Sequence, residues 1–133
     1  MTGQPTRPAH TTRLERVLGV PLAADAVRQW PQSGTALRGR AHIARAEADT
    51  ATYAVARRHA CGDVLVAEWS ADYGDGRVHR NVTVAELVEG VAVRVTDYWG
   101  TPGEPPEARG APTSPLPPEA THLWPPAHHL TPE

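Results

Sequence analysis

Between Asp63 and Trp99, apolar and polar positions alternate along the chain, and the alternation is interrupted at Gly74-Asp75-Gly76 and again at Glu89-Gly90. A period of two is the mark of a strand with one buried face. Asp-Gly and Glu-Gly between such runs mark hairpin turns, because glycine accepts the positive φ that a tight turn requires. The pattern therefore predicts an antiparallel meander of strands near 63–73, 77–88 and 91–99.

The same pattern predicts a register. A two-residue turn at Glu89-Gly90 sets Val88 opposite Val91, Val84 opposite Val95 and Val82 opposite Asp97. A two-residue turn at Asp75-Gly76 sets Tyr73 opposite Val78 and Trp69 opposite Val82. One face then collects Leu65, Ala67, Trp69, Ala71, Tyr73, Val78, Val82, Val84, Val91, Val93, Val95, Asp97 and Trp99. The other collects Glu68, Ser70, Asp72, His79, Asn81, Thr83, Arg94 and Thr96. A three-residue Gly74-Asp75-Gly76 loop is the alternative, and it flips the first strand, since a slip of one residue reverses every side chain.

The rest of the chain reads more briefly. Residues 1–10 are Pro- and Gly-bearing and are expected to be a disordered leader. Thr12 followed by Glu15 is a capping-box pattern, and Leu14, Val17 and Leu18 follow at helical spacing, so a short helix is expected there. Pro21 can restart a helix as a first-turn residue. A brief strand at 27–30, a loop at 31–34, an Ala-rich helix at 41–48 and a strand at 52–58 complete the elements. Residues 101–133 hold ten of the 14 prolines. That stretch is expected to add neither ladder hydrogen bonds nor a helix, and to be largely disordered in 110–133. The expected fold class is α+β, a curved antiparallel sheet packed on short N-terminal helices.

Composition narrows the function classes. The 133 residues contain no Phe and one Met, so the core rests on Val, Leu, Ala and four Trp. The 13 basic residues are all Arg, and with a net charge of −2 and no basic cluster, nucleic acid is not expected as a partner. The single Cys61 excludes an internal disulfide and a Cys-based zinc cluster. No apolar run reaches spanning length, so no membrane partner and a cytoplasmic location are expected. There is no phosphate loop, nucleophile elbow or dinucleotide fingerprint, and no cofactor is expected.

Among titratable residues, Asp97 stands out. On the oily face beside Val82 it would be a poorly solvated carboxylate, suited to general acid or base work, and this makes it the catalytic candidate. The competing reading is a strand-end Asp paired with Arg28 or Arg80. His42, on the second helix, is the weaker catalytic candidate. Asp72 and His79 would be cross-strand neighbours on the wet face, where a solvated pair is the plainer reading. Arg38 and Arg40 flank Gly39 and could hold a carboxylate. His122, His128 and His129 lie in the Pro-rich tail without preformed geometry, so no metal site is assigned.

Three stretches carry a family resemblance. Trp30 to Gly34 (WPQSG), then Leu37 to Ile43 (LRGRAHI), resembles the strand and loop leading into a helix in SnoaL-like proteins of the nuclear-transport-factor-2-like superfamily. Arg80 to Trp99, with its Gly turn and its Asp97-Tyr98-Trp99 ending, is similar to that family's last two strands. Glu104 to Arg109 (EPPEAR) is similar to the acidic, Pro-bearing segment that follows. The resemblance covers 14–109, within a domain expected at 11–109, and implies a cone of sheet around helices with a pocket inside.

Members include polyketide cyclases, ketosteroid isomerases, epoxide hydrolases and dehydratases. The resemblance implies a pocket and not a reaction; a small apolar organic ligand and a homodimer are expected, and, if the protein is an enzyme, a cofactor-independent cyclase or isomerase, or a hydrolase-like activity, with Asp97 as acid/base. Trp30, Trp69, Tyr73, Val82, Val95 and Trp99 would line the pocket. Such domains usually open with a long helix and a second one, whereas 11–27 has room for one broken helix, so the helical opening is expected to be truncated. A non-catalytic binding or dimerisation module, or a degenerate shortened member, is the alternative. An enzyme predicts a closed pocket with an unpaired Asp97; a binding module predicts Asp97 neutralised by Arg and no ligand-sized cavity.

Overall fold

The structure is a computed structural model and describes residues 11–49, 51–107 and 110–132; the expected leader at 1–10 lies outside the described residues. The first described element is α1 (Arg13–Leu18), and both halves of the capping box form: the Thr12 hydroxyl accepts from the Glu15 N–H, and the Glu15 carboxylate accepts from the Thr12 N–H. Gly19 ends the helix in the left-handed region at φ 80°. Leu14, Val17 and Leu18 are almost wholly buried.

Pro21 does not restart a helix. The chain instead enters β1 (Leu22–Trp30), which runs parallel to β6 (Val91–Gly100), with the Pro21 carbonyl accepting from the Ala92 N–H. Pairing with a central strand overrides the helical preference of the Ala-rich segment. A four-residue turn with Gly34 at φ 72° then leads into β2 (Thr35–Arg38), an edge strand the alternation did not reveal. α2 (Arg40–Ala46) follows, burying Ile43 on the sheet.

β3 (Thr52–Cys61), β4 (Val64–Asp72), β5 (Val78–Val88) and β6 form an antiparallel meander, and the full strand order is β2-β1-β6-β5-β4-β3-β7. The fold class is α+β, as expected, with one parallel pair inside an otherwise antiparallel, curved sheet. The tail departs from expectation. It contains α3 (Pro118–Thr121) and a 3-10 turn at Ala127–His129, and its two-residue β7 (Thr131–Pro132) pairs with Thr52 and Tyr53 at the edge of β3. Arg80 on β5 supplies the reason: its guanidinium donates to the Trp124 and Pro125 carbonyls and to the Ser70 hydroxyl, giving the proline-rich segment hydrogen bonds it cannot make with itself. Burial pushes the Arg80 pKa down.

The Glu89-Gly90 turn is as predicted, with Glu89 at φ 52°, Gly90 at φ 80° and Val88 opposite Val91. Two other details of register differ. Asp72 and Val78 close the β4–β5 hairpin around a five-residue connection in which the Asp72 carboxylate accepts from the Gly74 and Gly76 N–H groups. That loop has the parity of the three-residue alternative, so Trp69 faces Asn81 instead of Val82. A bulge also shifts the β5–β6 ladder between Glu86 and Leu87, leaving Val93 as the extra residue. Asp97 therefore faces Thr83, not Val82.

The inner face of β5 consequently carries His79, Asn81, Thr83, Ala85 and Leu87, while Val82 and Val84 turn outward. Small residues explain the preference: Ala67, Ala71, Ala85 and Ala92 lie flat beneath α1 and α2 and leave room for Leu14, Leu18 and Ile43. An inward valine in place of Ala85 would crowd the helices.

Glu15 does more than cap. Its carboxylate, 6% exposed, also accepts from the Leu22 N–H and from Arg40 Nε and Nη2, tying α1 to β1 and α2. Burial raises the Glu15 pKa, but the hydrogen bonds from Arg40, Leu22 and Thr12 outweigh it and hold it at about 2, against 4.5 in free solution. A depressed carboxylate pKa stabilises the fold above the unfolded value and loses that contribution as pH falls through the folded one. Glu15→Gln is expected to lower stability at pH 7 by about 3 kcal/mol. Urea unfolding of both proteins should find the gap closing between pH 4.5 and pH 2; a gap independent of pH would show that the carboxylate's charge is not what holds the helix.

Candidate functional site

The ends of β1, β4, β5 and β6 meet on the inner face, beyond the reach of the two helices. β1 contributes Arg28 and Trp30, β4 contributes Trp69, and β6 contributes Asp97 and Trp99. Tyr73, His79 and Asn81 close the opposite wall. Together they surround a partly open cavity of about 220 Å³.

Asp97 anchors it. The carboxylate is 5% exposed and both its oxygens are engaged. Oδ1 accepts from the Thr83 hydroxyl at 2.6 Å, and Thr83 Oγ1 in turn accepts from Trp69 Nε1 at 2.8 Å. Oδ2 accepts from Trp30 Nε1 at 3.0 Å and from Arg28 Nε, with which it forms a salt bridge. Arg28 also donates through Nη1 to Glu47 Oε2 at 3.2 Å, and its guanidinium stands over the Trp30 ring at 5.6 Å. Glu47 meanwhile caps α1, accepting from the Arg13 and Leu14 N–H groups. One cation thus joins the pocket carboxylate to the helix that covers the core. Fully hydrogen-bonded charge pairs of this kind are strongly destabilising to break, although not strongly stabilising to have.

The opposite wall is less satisfied. Asn81 is 3% exposed, its Nδ2 reaches the Tyr73 hydroxyl only at 3.5 Å, and its Oδ1 has no hydrogen-bond partner among the described residues. His79 Nδ1 is likewise buried without a partner, its ring tilted against Tyr73 at 5.5 Å between centroids. Desolvation pushes the Tyr73 pKa up, against the pull of the Arg13 and Arg28 cations.

Solved structures with this arrangement of sheet and helices are known. A protein of unknown function from Burkholderia xenovorans LB400, described as nuclear-transport-factor-2-like, matches with a TM-score of 0.60 at 28% identity, over 72% of this chain and 77% of its own. A proposed ketosteroid isomerase from Kribbella flavida DSM 17836 matches with a TM-score of 0.62 at 31% identity, over 74% of each chain. A protein of ketosteroid-isomerase-like fold from Catenulispora acidiphila DSM 44928, solved in complex with trimethylamine, matches with a TM-score of 0.52 at 17% identity, over 68% of this chain and 78% of its own. The chain belongs to the nuclear-transport-factor-2-like superfamily. No protein-family model matches it, and neither does any curated protein.

Within this member of the superfamily, the predicted site residues divide. Trp30, Trp69, Tyr73, Asp97 and Trp99 do come together around the cavity. Val82 does not: the changed register turns it to the outer face, 37% exposed. Val95 is fully buried in the core beneath the pocket and does not line it. His42 is exposed on α2 with Nδ1 against the Arg38 carbonyl, outside the cavity. Asp72 and His79 are not neighbours; Asp72 faces Val78 and caps its own loop. Among the described residues no group of three His, Cys, Asp or Glu side chains could hold a metal ion.

Arg28, His79 and Asn81 were not singled out for the pocket from the sequence. The sequence offers Arg28 as a partner for Asp97, and that pairing forms. The available signal for the other two was the three-residue turn, which brings Asn81 opposite Trp69.

Removing the anchor should be costly. Asp97→Ala is expected to destabilise the fold by about 3 kcal/mol, at the low end for a broken buried pair because Glu47 remains beside Arg28. Thr83→Val, of similar volume, should cost about 1–2 kcal/mol through the unpaired Trp69 N–H and Asp97 oxygen. Chemical denaturation measures both, and losses under about 0.5 kcal/mol would mean the network is not what fixes the strand ends.

Proposed function

We propose that this protein is a small-molecule pocket protein that binds one flat, largely apolar molecule of one or two rings between its tryptophans. The observation that carries this reading is the aromatic cavity built around a fixed Asp97–Arg28 pair. Tryptophan walls supply stacking area, and a few convergent polar groups supply orientation, the usual composition of a ligand site. At about 220 Å³ the cavity is below the roughly 300–1,000 Å³ common for drug-sized ligands, which favours a small ring system over a fused polycycle.

Trp99, 37% exposed at the rim, can be removed without opening the core. Isothermal titration with a two-ring aromatic such as quinoline is expected to give saturable binding, weakened roughly tenfold in Trp99→Ala. Absence of saturable binding across a panel of one- and two-ring compounds would sink the reading.

A second reading, a SnoaL-like, cofactor-independent isomerase or cyclase, is favoured by one observation: a carboxylate, Asp97, borders the cavity. As a base it would need a free lone pair turned to the cavity, and both oxygens already accept: Oδ2 from Arg28 and Trp30, Oδ1 from Thr83. Deuterium exchange at the α-carbon of 2-tetralone, followed by NMR, separates the two. An isomerase would catalyse the exchange and lose it in Asp97→Asn, while binding persists; a binding protein would leave the exchange at its solvent rate. The homodimer expected from the sequence would use the outer sheet face, where Val64, Val82 and Tyr98 are exposed.

A further inference from the structure

We infer that the ligand carries a hydrogen-bond donor, a ring N–H or a hydroxyl, at the edge that meets Asn81 and His79. The inference rests on the pocket reading above and specifies its chemistry. Asn81 Oδ1 can only accept, and it is buried with no partner among the described residues. A buried carbonyl oxygen without a hydrogen bond costs about 1–3 kcal/mol, so a native site that keeps one has a use for it. His79 Nδ1, two residues along the same strand and on the same inner face, is the second orphan. An imidazole nitrogen accepts in one neutral tautomer and donates in the other.

The Tyr73 hydroxyl, which accepts from Asn81 Nδ2 and keeps its own hydrogen free, adds a donor beside them. The three groups form the polar wall facing the tryptophans. A group that both donates and accepts matches them: its hydrogen goes to Asn81 Oδ1, and its lone pair, where it has one, takes the hydrogen of Tyr73 or His79. A ring with no donor would leave Asn81 Oδ1 stranded inside the complex.

Other features of the described residues carry less. Arg80 is satisfied by the Trp124 and Pro125 carbonyls and the Ser70 hydroxyl, Arg58 by the Arg16 and Val17 carbonyls, and Cys61 stands alone at a strand end.

The test uses isosteric pairs that differ in the donor and not in size: indole against benzothiophene for a ring N–H, and 2-naphthol against 2-methylnaphthalene for a hydroxyl. Isothermal titration of the full chain should find at least one donor-bearing compound bound roughly tenfold or more tightly than its partner. Whichever pair discriminates identifies the donor as nitrogen or oxygen. Asn81→Leu, which removes the orphan oxygen while filling its volume, should keep binding but bring the pair to within about twofold; His79→Phe should reduce the discrimination in part. Equal affinities within both pairs, or discrimination that survives Asn81→Leu, would overturn the inference while leaving the pocket intact. No binding of any of the four compounds would instead overturn the pocket reading itself. Thermal unfolding of each variant identifies any that fails to fold, and the other variant then decides.

Discussion

Everything at the functional end of the sheet depends on the guanidinium of Arg28. It sits between two carboxylates, Asp97 on β6 and Glu47 just after α2, and lies over the Trp30 ring. Without it, two anions would face each other with little water to screen them, in a region where each is less than a tenth exposed. With it, the parallel pairing of β1 on β6 is fastened at the pocket, and the N-terminus of α1 is fastened through Glu47 to the same cation. The geometry of the cavity and the placement of the covering helix are therefore set by one side chain. Arginine suits this place better than lysine would, because its planar fork can serve two carboxylates in fixed directions at once.

A second anchor works by similar means within the helix layer. Glu15 gathers the Thr12 and Leu22 N–H groups and two nitrogens of Arg40. A six-residue helix is too short to be stable alone. Here it is held by burial of Leu14, Val17 and Leu18 and by two carboxylates, Glu15 and Glu47, that take up its free N–H groups. This is how a small helical layer can cover a sheet whose inner face is paved largely with alanine.

Most of this fold was legible in the sequence, and the parts that were not share one cause. The capping box at Thr12 and Glu15, the turn at Glu89-Gly90 and the strand periods of β4, β5 and β6 are local signals, and each corresponds to an element in the structure. The faces of β5 were not legible, because they depend on how many residues a turn takes up. Asp72 folding back on Gly74 and Gly76 lengthened one connection, and Val93 was extruded from a stretch, VAVRV, whose alternation gives no hint of a bulge. Each is a shift of one residue, and each exchanges the two faces of a strand. His79 and Asn81 were assigned to the wet face for that reason alone, so the pocket's polar wall went unread while its tryptophans, fixed by β4 and the end of β6, were found. β2 escaped notice because four mostly exposed residues carry no periodic pattern.

The pocket consequently has two chemically different walls, and they constrain function differently. The Asp97 wall is complete: each carboxylate oxygen has its donors and the indole N–H groups of Trp30 and Trp69 have their acceptors. A closed network of this kind orients rings and excludes water, but offers a ligand little to bond with. The Tyr73–His79–Asn81 wall is incomplete, with Asn81 Oδ1 and His79 Nδ1 already stripped of water before any ligand arrives. Selectivity is strongest where a site has desolvated polar groups that only the right partner can satisfy, since a wrong partner leaves them unpaired. Stacking against tryptophan accepts almost any flat ring; an orphan carbonyl oxygen does not. The completed wall thus sets the shape of what can enter, and the incomplete wall decides which molecule of that shape stays.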